Sequence, residues 1–384
     1  MMTLGMIALT TNAILSPNIL LNLKKLFSNK IFLVLIGLFV LHIIGTFYSN
    51  NLEIAFNRLN IKLPFLIMPI GFAALPQLKK QVYLKFIFSF FALVFFTSLY
   101  VTINYLLNMD AYNEGYLFAK IIPTPIDHVR FSLFLVFAII SGFYLYTKQF
   151  KFKYNFETNI ILGASILLII FIHVLSVRSG LFALYTIGFI LGIQSLLSKN
   201  KRKLGIVLLL LVFLLPAISL YVFPTFQKKI AYVKYDLNQF FNEKKLSQYS
   251  DSRRLLSIKV GLEVFQQNYL FGVGSGDMYP EMIKIYQRDY PNLKENDYLK
   301  PHNQFVVELA SFGILGFLYF IFAILYPLWH NKNYKDWFFL SFHIIILSSF
   351  LWEGTIEGQL GMGFYIVFLL LGLNYIEKKP QLNE

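Results

Sequence analysis

Long apolar runs recur along most of this sequence, and they restrict the chain to a fold that crosses a membrane. A membrane-spanning helix needs about 20 mainly apolar residues. With 57% hydrophobic and 14% charged residues, the chain also lies far from soluble proteins, in which about a quarter of residues are charged. We therefore predict an all-α fold, a polytopic integral membrane helix bundle with about 11–12 transmembrane helices. The candidate spans are residues 3–23, 31–48, 61–75, 82–107, 128–147, 158–177, 180–198, 204–223, 304–329, 336–353 and 360–376.

Basic residues gather in every second link between these runs, and they account for half of the 34 lysines and arginines. The positive-inside rule assigns those links to the cytoplasm. The net charge of +14 then follows from topology, so we expect a lipid bilayer as partner and no nucleic acid. The residues are Lys24, Lys25, Lys30, Lys79, Lys80, Lys85, Lys148, Lys151, Lys153, Lys199, Lys201, Arg202, Lys203, Lys332, Lys335, Lys378 and Lys379.

The opposite links include one long polar interval, which we predict to be an outward-facing loop domain. The sequence thereby divides into N-terminal transmembrane helices (1–222), this loop (223–303), and C-terminal transmembrane helices with a short cytoplasmic tail (304–384). Within the loop, residues 227–246 have the composition of an interfacial amphipathic helix. Ser250 or Asp251 is a plausible N-cap for a second helix, which the run Gly272–Gly276 would end. Its predicted apolar stripe is Leu255, Ile258, Leu262 and Phe265.

Arg253 and Arg254 follow directly after that N-cap, where the helix dipole disfavours cations. A bound anion would offset this repulsion, because helix N-terminal amides and a guanidinium fork together suit phosphate. Neutralisation of both arginines by Asp251 on a solvated surface is the alternative.

His302 follows Pro301 at the outer mouth of the span 304–329. With an ordinary pKa of about 6.5, its imidazole could accept a proton from a hydroxyl near neutral pH. A purely structural interfacial histidine is the alternative.

Two more arginines are expected on the outer side, Arg178 and Arg130. Arg178 interrupts a long apolar stretch, and an arginine at membrane depth usually pairs with or binds something. Asp127 offers Arg130 an ordinary partner. Glu353 and Glu357 at the last outer turn could pair with these arginines or act on a substrate.

Several common chemistries have no sequence signature here. The chain has no cysteine, which excludes disulfides and thiolate chemistry. The glycine run lacks the Lys-Ser/Thr of a phosphate-binding loop. No residue spacing indicates a metal site or a serine hydrolase.

Three motifs together resemble the O-antigen ligase/polymerase family of bacterial envelope glycosyltransferases, over roughly residues 120–376. The sequence Asp251-Ser252-Arg253-Arg254 and the following helix lead to Leu270-Phe271-Gly272-Val273-Gly274-Ser275-Gly276, which is similar to the family's LxGVGxG run. Pro301-His302-Asn303-Gln304-Phe305 is similar to the HNxF motif that enters a transmembrane helix. Arg178-Ser179-Gly180 fits an arginine that begins a helix two spans before the loop.

The resemblance implies metal-independent, cofactor-free and inverting glycosyl transfer at the periplasmic face of the inner membrane. The donor would be a glycan on undecaprenyl pyrophosphate. The acceptor would be lipid A core in a ligase, or a second lipid-linked glycan in a polymerase.

The same resemblance implies roles for three candidate residues: His302 would be catalytic, and Arg178 and Arg254 would bind the pyrophosphate. We add Arg253 and Arg130 as further donor-binding candidates. Asn303, Glu353 and Glu357 are possible supporting residues.

Two other classes of protein remain as alternatives. One is a transporter or flippase for lipid-linked glycans, although transporters tend to have internal repeats and charges at the membrane midplane. The other is a scaffolding membrane protein, which would give no reason for His302 and the arginines to share the outer face.

Overall fold

The computed structural model describes residues 2–116, 121–242 and 250–376, and every regular element in those ranges is helical. The predicted all-helical fold class is therefore confirmed. The helices are α1 (Met2–Ile14), α2 (Ile19–Ser28), α3 (Lys30–Phe47), α4 (Leu52–Lys62), α5 (Pro64–Ala74), α6 (Lys80–Leu107), α7 (Met109–Gly115), α8 (His128–Thr147), α9 (Glu157–Leu175), α10 (Arg178–Leu197), α11 (Arg202–Val222), α12 (Pro224–Asn242), α13 (Ser250–Gln267), α14 (Met278–Asp289), α15 (Gln304–Trp329), α16 (Trp337–Phe350) and α17 (Gln359–Ile376).

Within the described ranges, eight helical segments are long and apolar enough to cross a membrane. They contain α3, α6, α8, α9, α10, α11, α15 and α17. The protein is thus a multi-pass membrane protein, with fewer long spans than the sequence predicts. The difference comes from three predicted runs that are broken or shortened.

The first of these runs, 3–23, forms two helices rather than one. Its apolar part in α1 and the following α2 are bent by 112°. Pro17 lies between them, and proline cannot donate the backbone hydrogen bond that would continue α1. Helix α2 buries Asn22 and Leu26 and exposes Leu20 and Phe27.

The second run, 61–75, divides between α4 and α5 because Pro64 occupies the first position of α5, where proline is tolerated. With 11 residues, α5 is about 16 Å long, short of the roughly 30 Å of a bilayer's hydrocarbon core. The third run, 336–353, contains the 14-residue α16.

The chain divides into two compact units. One unit, here the histidine unit, comprises residues 1–79, 253–339 and 350–384. The other, here the arginine unit, comprises residues 80–252 and 340–349. We describe each unit by itself.

Small residues bring the helices of the arginine unit close together. A Cβ added at Gly142 of α8 would lie 1.9 Å from the hydroxyl of Ser165 on α9. One added at Gly180 of α10 would lie 2.7 Å from Cβ of Ser132 on α8. Such close approach of backbones is how helices associate in membranes. The starts of α8 and α10 are thereby held side by side.

Helices form in the predicted loop as expected, but α13 buries a different face from the predicted one. Helix α12 begins at Pro224 and covers the segment 227–246, predicted to be helical, as far as Asn242; residues 243–249 lie outside the described ranges. In α13 the buried apolar side chains are Leu256, Val260 and Val264, whereas Leu255 and Leu262 are 39% and 37% exposed. The helix has apolar residues on two faces, and the predicted stripe is the more exposed one.

Candidate active site

His302 lies immediately before α15, and its neighbour Asn303 fixes the start of that helix. The Asn303 side chain accepts a hydrogen bond from the backbone N–H of Val306 at 3.1 Å, as an N-cap does. Its Nδ2 donates to the carbonyl of Leu351 at 3.2 Å. The supporting position predicted for Asn303 thus has a geometric basis, because its side chain binds both the first turn of α15 and the backbone at Leu351.

A single hydroxyl connects the backbone of His302 with that of Arg254. The N–H of His302 donates to Oγ of Ser257 at 3.3 Å. The Ser257 hydroxyl in turn donates to the carbonyl of Arg254 at 2.7 Å. Close packing reinforces this link, because a Cβ at Gly261 of α13 would lie 2.9 Å from the ring of Pro301. The backbone of His302, the predicted base, therefore contacts the turn of α13 that contains Arg254, a predicted pyrophosphate ligand.

The two adjacent arginines of α13 differ in their partners. Nη1 of Arg253 forms an ion pair with the carboxylate of Asp297, in the polar segment before Pro301. For the half-buried Arg254 guanidinium, the described residues provide no hydrogen bond or ion pair. Among the described residues, Arg254 thus differs from Arg253 in having no ion-pair partner. The predicted neutralisation by Asp251 concerns a side chain that lies outside the described ones.

Arg178 and Arg130 lie in the arginine unit, at the starts of two neighbouring helices. Arg178 is the first residue of α10, as predicted, and its neighbour Ser179 lies 3.3 Å from Ser132 of α8, oxygen to oxygen. Arg130 is in the first turn of α8, where the Asp127 carboxylate accepts from the backbone N–H of Arg130 at 3.2 Å. Asp127 therefore serves as the N-cap of α8, and the two arginines occupy one end of a packed helix pair.

The glycine-rich run, residues 272–276, closes a break in α15. Gly313 interrupts α15 with a φ of +62°, so carbonyls in the preceding turn lose their helical donors. The N–H of Val273 donates to the carbonyl of Ala310 at 3.0 Å, and that of Gly274 donates to Ser311 at 2.8 Å. The run therefore supplies the backbone donors that α15 lacks at its break. It also follows α13, as predicted.

Any residue larger than glycine at position 272 would be strained where the run meets α15. The φ of Gly272 is +69°, and an added Cβ would lie 2.4 Å from the carbonyl carbon of Ser311. The contact is reciprocal, since the N–H of Ile314 donates to the carbonyl of Tyr269 at 2.8 Å. The requirement for glycine is thus explained by backbone contact.

The same run is tied to the end of α3 and the start of α4. The N–H of Ser275 donates to Gly45 at 3.0 Å, and its hydroxyl donates to the carbonyl of His42 at 3.0 Å. The Asp277 carboxylate accepts from the backbone N–H groups of Asn50 and Asn51 at 2.6 and 2.8 Å. The loop that follows α13 is consequently anchored to three helices of the histidine unit.

Glu357 lies at the centre of a charge cluster in the histidine unit. Its carboxylate accepts from Nε of Arg58 at 3.0 Å and from Nζ of Lys62 at 2.6 Å. It also accepts from Nε2 of Gln304 at 2.9 Å. Burial raises the pKa of the Glu357 carboxyl, but the charges of Arg58 and Lys62 outweigh burial and hold that pKa well below its usual range. The sequence left open whether Glu357 pairs with the outer arginines or acts on a substrate, and in the structure it pairs with two cations of α4.

The sequence contained a signal for this cluster that we did not use. Lys62 falls inside a run interpreted as a membrane span, and a lysine at that depth normally has a partner. In the structure its side chain is fully buried. Glu308 is likewise fully buried in α15, and its Oε1 accepts from Gln304 at 2.8 Å.

Within the described ranges, no three histidine, aspartate or glutamate side chains are grouped so as to hold a metal ion. What the histidine unit does provide is a backbone link, through Ser257, between His302 and Arg254. That pair can accept a proton from a hydroxyl and stabilise an anionic group.

Comparison with known proteins finds a similarity to one family over part of the chain. Residues 163–321 match the domain described as O-antigen ligase, a range that includes Arg178, Arg254 and His302. No curated protein matches the chain. The match confirms the resemblance found in the motifs. Residues 163–321 are thus similar to the O-antigen ligase domain, and this match supports a relationship to the O-antigen ligase/polymerase family.

Proposed function

We propose that this protein transfers a glycan from an undecaprenyl-pyrophosphate donor to a sugar hydroxyl at the periplasmic face of the inner membrane. The acceptor in the leading proposal is lipid A core, which makes the protein an O-antigen ligase. The observation that supports the proposal is the link from His302 through Ser257 to Arg254, because it connects the candidate base with a candidate anion ligand inside one unit.

In the proposed reaction, the imidazole of His302 takes the proton of the acceptor hydroxyl. The acceptor oxygen forms a bond to the anomeric carbon of the donor sugar while the bond from that carbon to the pyrophosphate oxygen breaks. Displacement from the opposite face inverts the anomeric configuration. General-base assistance of this kind typically contributes about 10²- to 10⁴-fold.

Arg254 stabilises the charge that develops on the departing pyrophosphate. A fixed guanidinium needs no reorganisation during the reaction, and its effect is large where water is excluded. Arg178 is assigned the same role because it begins α10 within the matched domain. Arg253 and Arg130 are further donor-binding candidates, and Arg253 is already paired with Asp297.

The decisive experiment is a transfer assay with the purified protein in detergent micelles. Lipid-linked donor would be supplied with either lipid A core or a second lipid-linked glycan as acceptor. Product on lipid A core supports a ligase, and product on the lipid-linked glycan supports a polymerase instead. A transporter or flippase would form neither product, because it moves its substrate without forming a glycosidic bond.

His302→Ala provides the negative control of that assay, with His330→Ala as the matched variant. His330 follows α15 at its other end, in a link predicted to be cytoplasmic. We expect His302→Ala to lose transfer by about 10²-fold or more and His330→Ala to retain it. In cells, lipid-linked precursor should accumulate with His302→Ala. Full transfer by correctly inserted His302→Ala protein would contradict the proposed base.

A further inference from the structure

The charge cluster around Glu357 is formed by chain segments far apart in sequence. Arg58 and Lys62 are one helical turn apart on α4, so both side chains lie on the same face. Glu357 comes from the turn before α17, and Gln304 begins α15. Arg58, Lys62 and Glu357 all fall outside residues 163–321.

Because the charged side chains of this cluster are largely buried, each depends on the others for its ion pairs and hydrogen bonds. The side chain of Lys62 is fully buried and that of Arg58 is 10% exposed. A buried charge is tolerated only when it is paired and hydrogen-bonded. Beyond Glu357, Lys62 donates to the carbonyl of Ile356 at 2.8 Å and Arg58 to the hydroxyl of Ser311 at 2.9 Å. The geometry of α4, α15 and the turn at 355–357 is thus set jointly.

Gln304 transmits that geometry to the start of α15. Its Nε2 donates both to Glu357 and, at 2.8 Å, to Glu308. Its Oε1 accepts from the N–H of Ile356 at 3.2 Å. The Gln304 amide therefore has one orientation that satisfies all of its partners, and it lies two residues after His302.

Asn303 forms a second contact with the connection between α16 and α17, next to that of Gln304. Asn303 donates to the carbonyl of Leu351, in the same connection between α16 and α17 that carries Glu357. Two consecutive residues after His302 are thus bound to one connection, which the cations of α4 hold in place.

From these contacts we infer that Arg58, Lys62 and Glu357 act, through Gln304, as positioning residues for His302. The inference rests on the proposed function, in which His302 is the base. The cluster does not touch the reacting groups in this assignment; it sets where the imidazole stands relative to the acceptor hydroxyl. A misplacement of about 1 Å in a reacting group can cost on the order of 10²-fold in rate.

The test is a comparison of kcat and KM in the detergent transfer assay. We expect Glu357→Gln and Gln304→Met each to lower kcat about 10- to 100-fold with the donor KM unchanged. Because both act through one link, the double variant should be little worse than either single variant. Glu357→Asp keeps the charge but shortens its reach, and we expect a smaller loss of kcat with normal folding. This variant keeps the inference testable if Glu357→Gln fails to fold.

Glu281→Gln is the matched control, since Glu281 forms an exposed pair with Lys284 on α14. It should leave kcat unchanged. Full kcat in folded Glu357→Gln, Glu357→Asp and Gln304→Met, beside an inactive His302→Ala, would overturn the positioning role alone. Additive losses in the double variant would also overturn it. An active His302→Ala would instead refute the proposed base, so the two failures are distinguishable.

Discussion

The backbone N–H of His302 donates to the hydroxyl of Ser257 across 3.3 Å, although the residues are 45 positions apart. Ser257 is fully buried, and its own proton goes to the carbonyl of Arg254. One side chain therefore sets the spacing between the end of the polar loop and the first turns of α13.

Replacing Ser257 with alanine should loosen that spacing without unfolding the protein. The N–H of His302, which is partly buried, would lose its partner, a local cost of about 1 kcal/mol. We expect kcat for transfer to fall about tenfold, consistent with a small misplacement of the imidazole. The assay is the detergent transfer reaction.

Ser89→Ala is the matched control, because the exposed Ser89 hydroxyl also donates to a backbone carbonyl of its own helix. It should transfer at the wild-type rate. Equal rates for Ser257→Ala and Ser89→Ala would show that the link is dispensable.

Arg254→Lys should weaken use of the donor more than Arg253→Lys does. Lysine keeps the positive charge but loses the paired donors with which a guanidinium holds phosphate oxygens. Arg253 already engages Asp297, so its replacement removes less from the donor. We expect kcat/KM for the donor to fall about 10-fold or more for Arg254→Lys, and similarly for Arg178→Lys.

Arg288→Lys serves as the control for those variants, since Arg288 is exposed and paired with Glu263 and Asp289. It should leave donor kinetics unchanged. If Arg254→Lys and Arg178→Lys match it, neither arginine binds the pyrophosphate.

The sequence predicted the parts of the fold that depend on apolar run length and on local motifs. The long spans, the start of α10 at Arg178 and the start of α13 at Ser250 all follow from such patterns. The division of 61–75 was also visible in principle, because Pro64 is a favoured first residue of a helix.

What the sequence could not supply were contacts set by tertiary packing. Nothing local to Glu357 indicates that its partners lie on α4, 295 or more positions away. The buried face of α13 was mispredicted for a related reason. In a membrane protein an apolar stripe can be exposed to lipid as readily as buried, so periodicity alone does not choose between Leu255 and Leu256.

Gly272→Ala should lower the stability of the folded protein. Alanine would have to adopt a φ of +69° with its Cβ 2.4 Å from the backbone of Ser311. Strain of this type costs about 1 to 3 kcal/mol. The measurement is the thermal unfolding midpoint in detergent, with Gly163→Ala as control because a Cβ at Gly163 meets nothing within 4 Å. Unchanged midpoints for both variants would refute the close backbone contact between the glycine run and α15.

Glu357 should stabilise the protein in a pH range that its lowered pKa defines. Arg58 and Lys62 hold the folded-state pKa of this carboxyl below its usual range despite burial. A depressed folded-state pKa gives stability that is complete above the unfolded-state pKa of about 4.3 and is lost as the pH falls through the folded-state value.

The difference in unfolding midpoint between wild type and Glu357→Gln should therefore be constant from about pH 8 to pH 5.5, and shrink only below about pH 4. Its size should correspond to on the order of 3 kcal/mol, because the substitution leaves two buried cations without their carboxylate. Glu281→Gln should give a small difference at every pH, since its ion pair is exposed. A difference that disappears between pH 7 and pH 6 would mean that folded Glu357 takes up a proton near neutrality, and the two cations of α4 would then not control its charge.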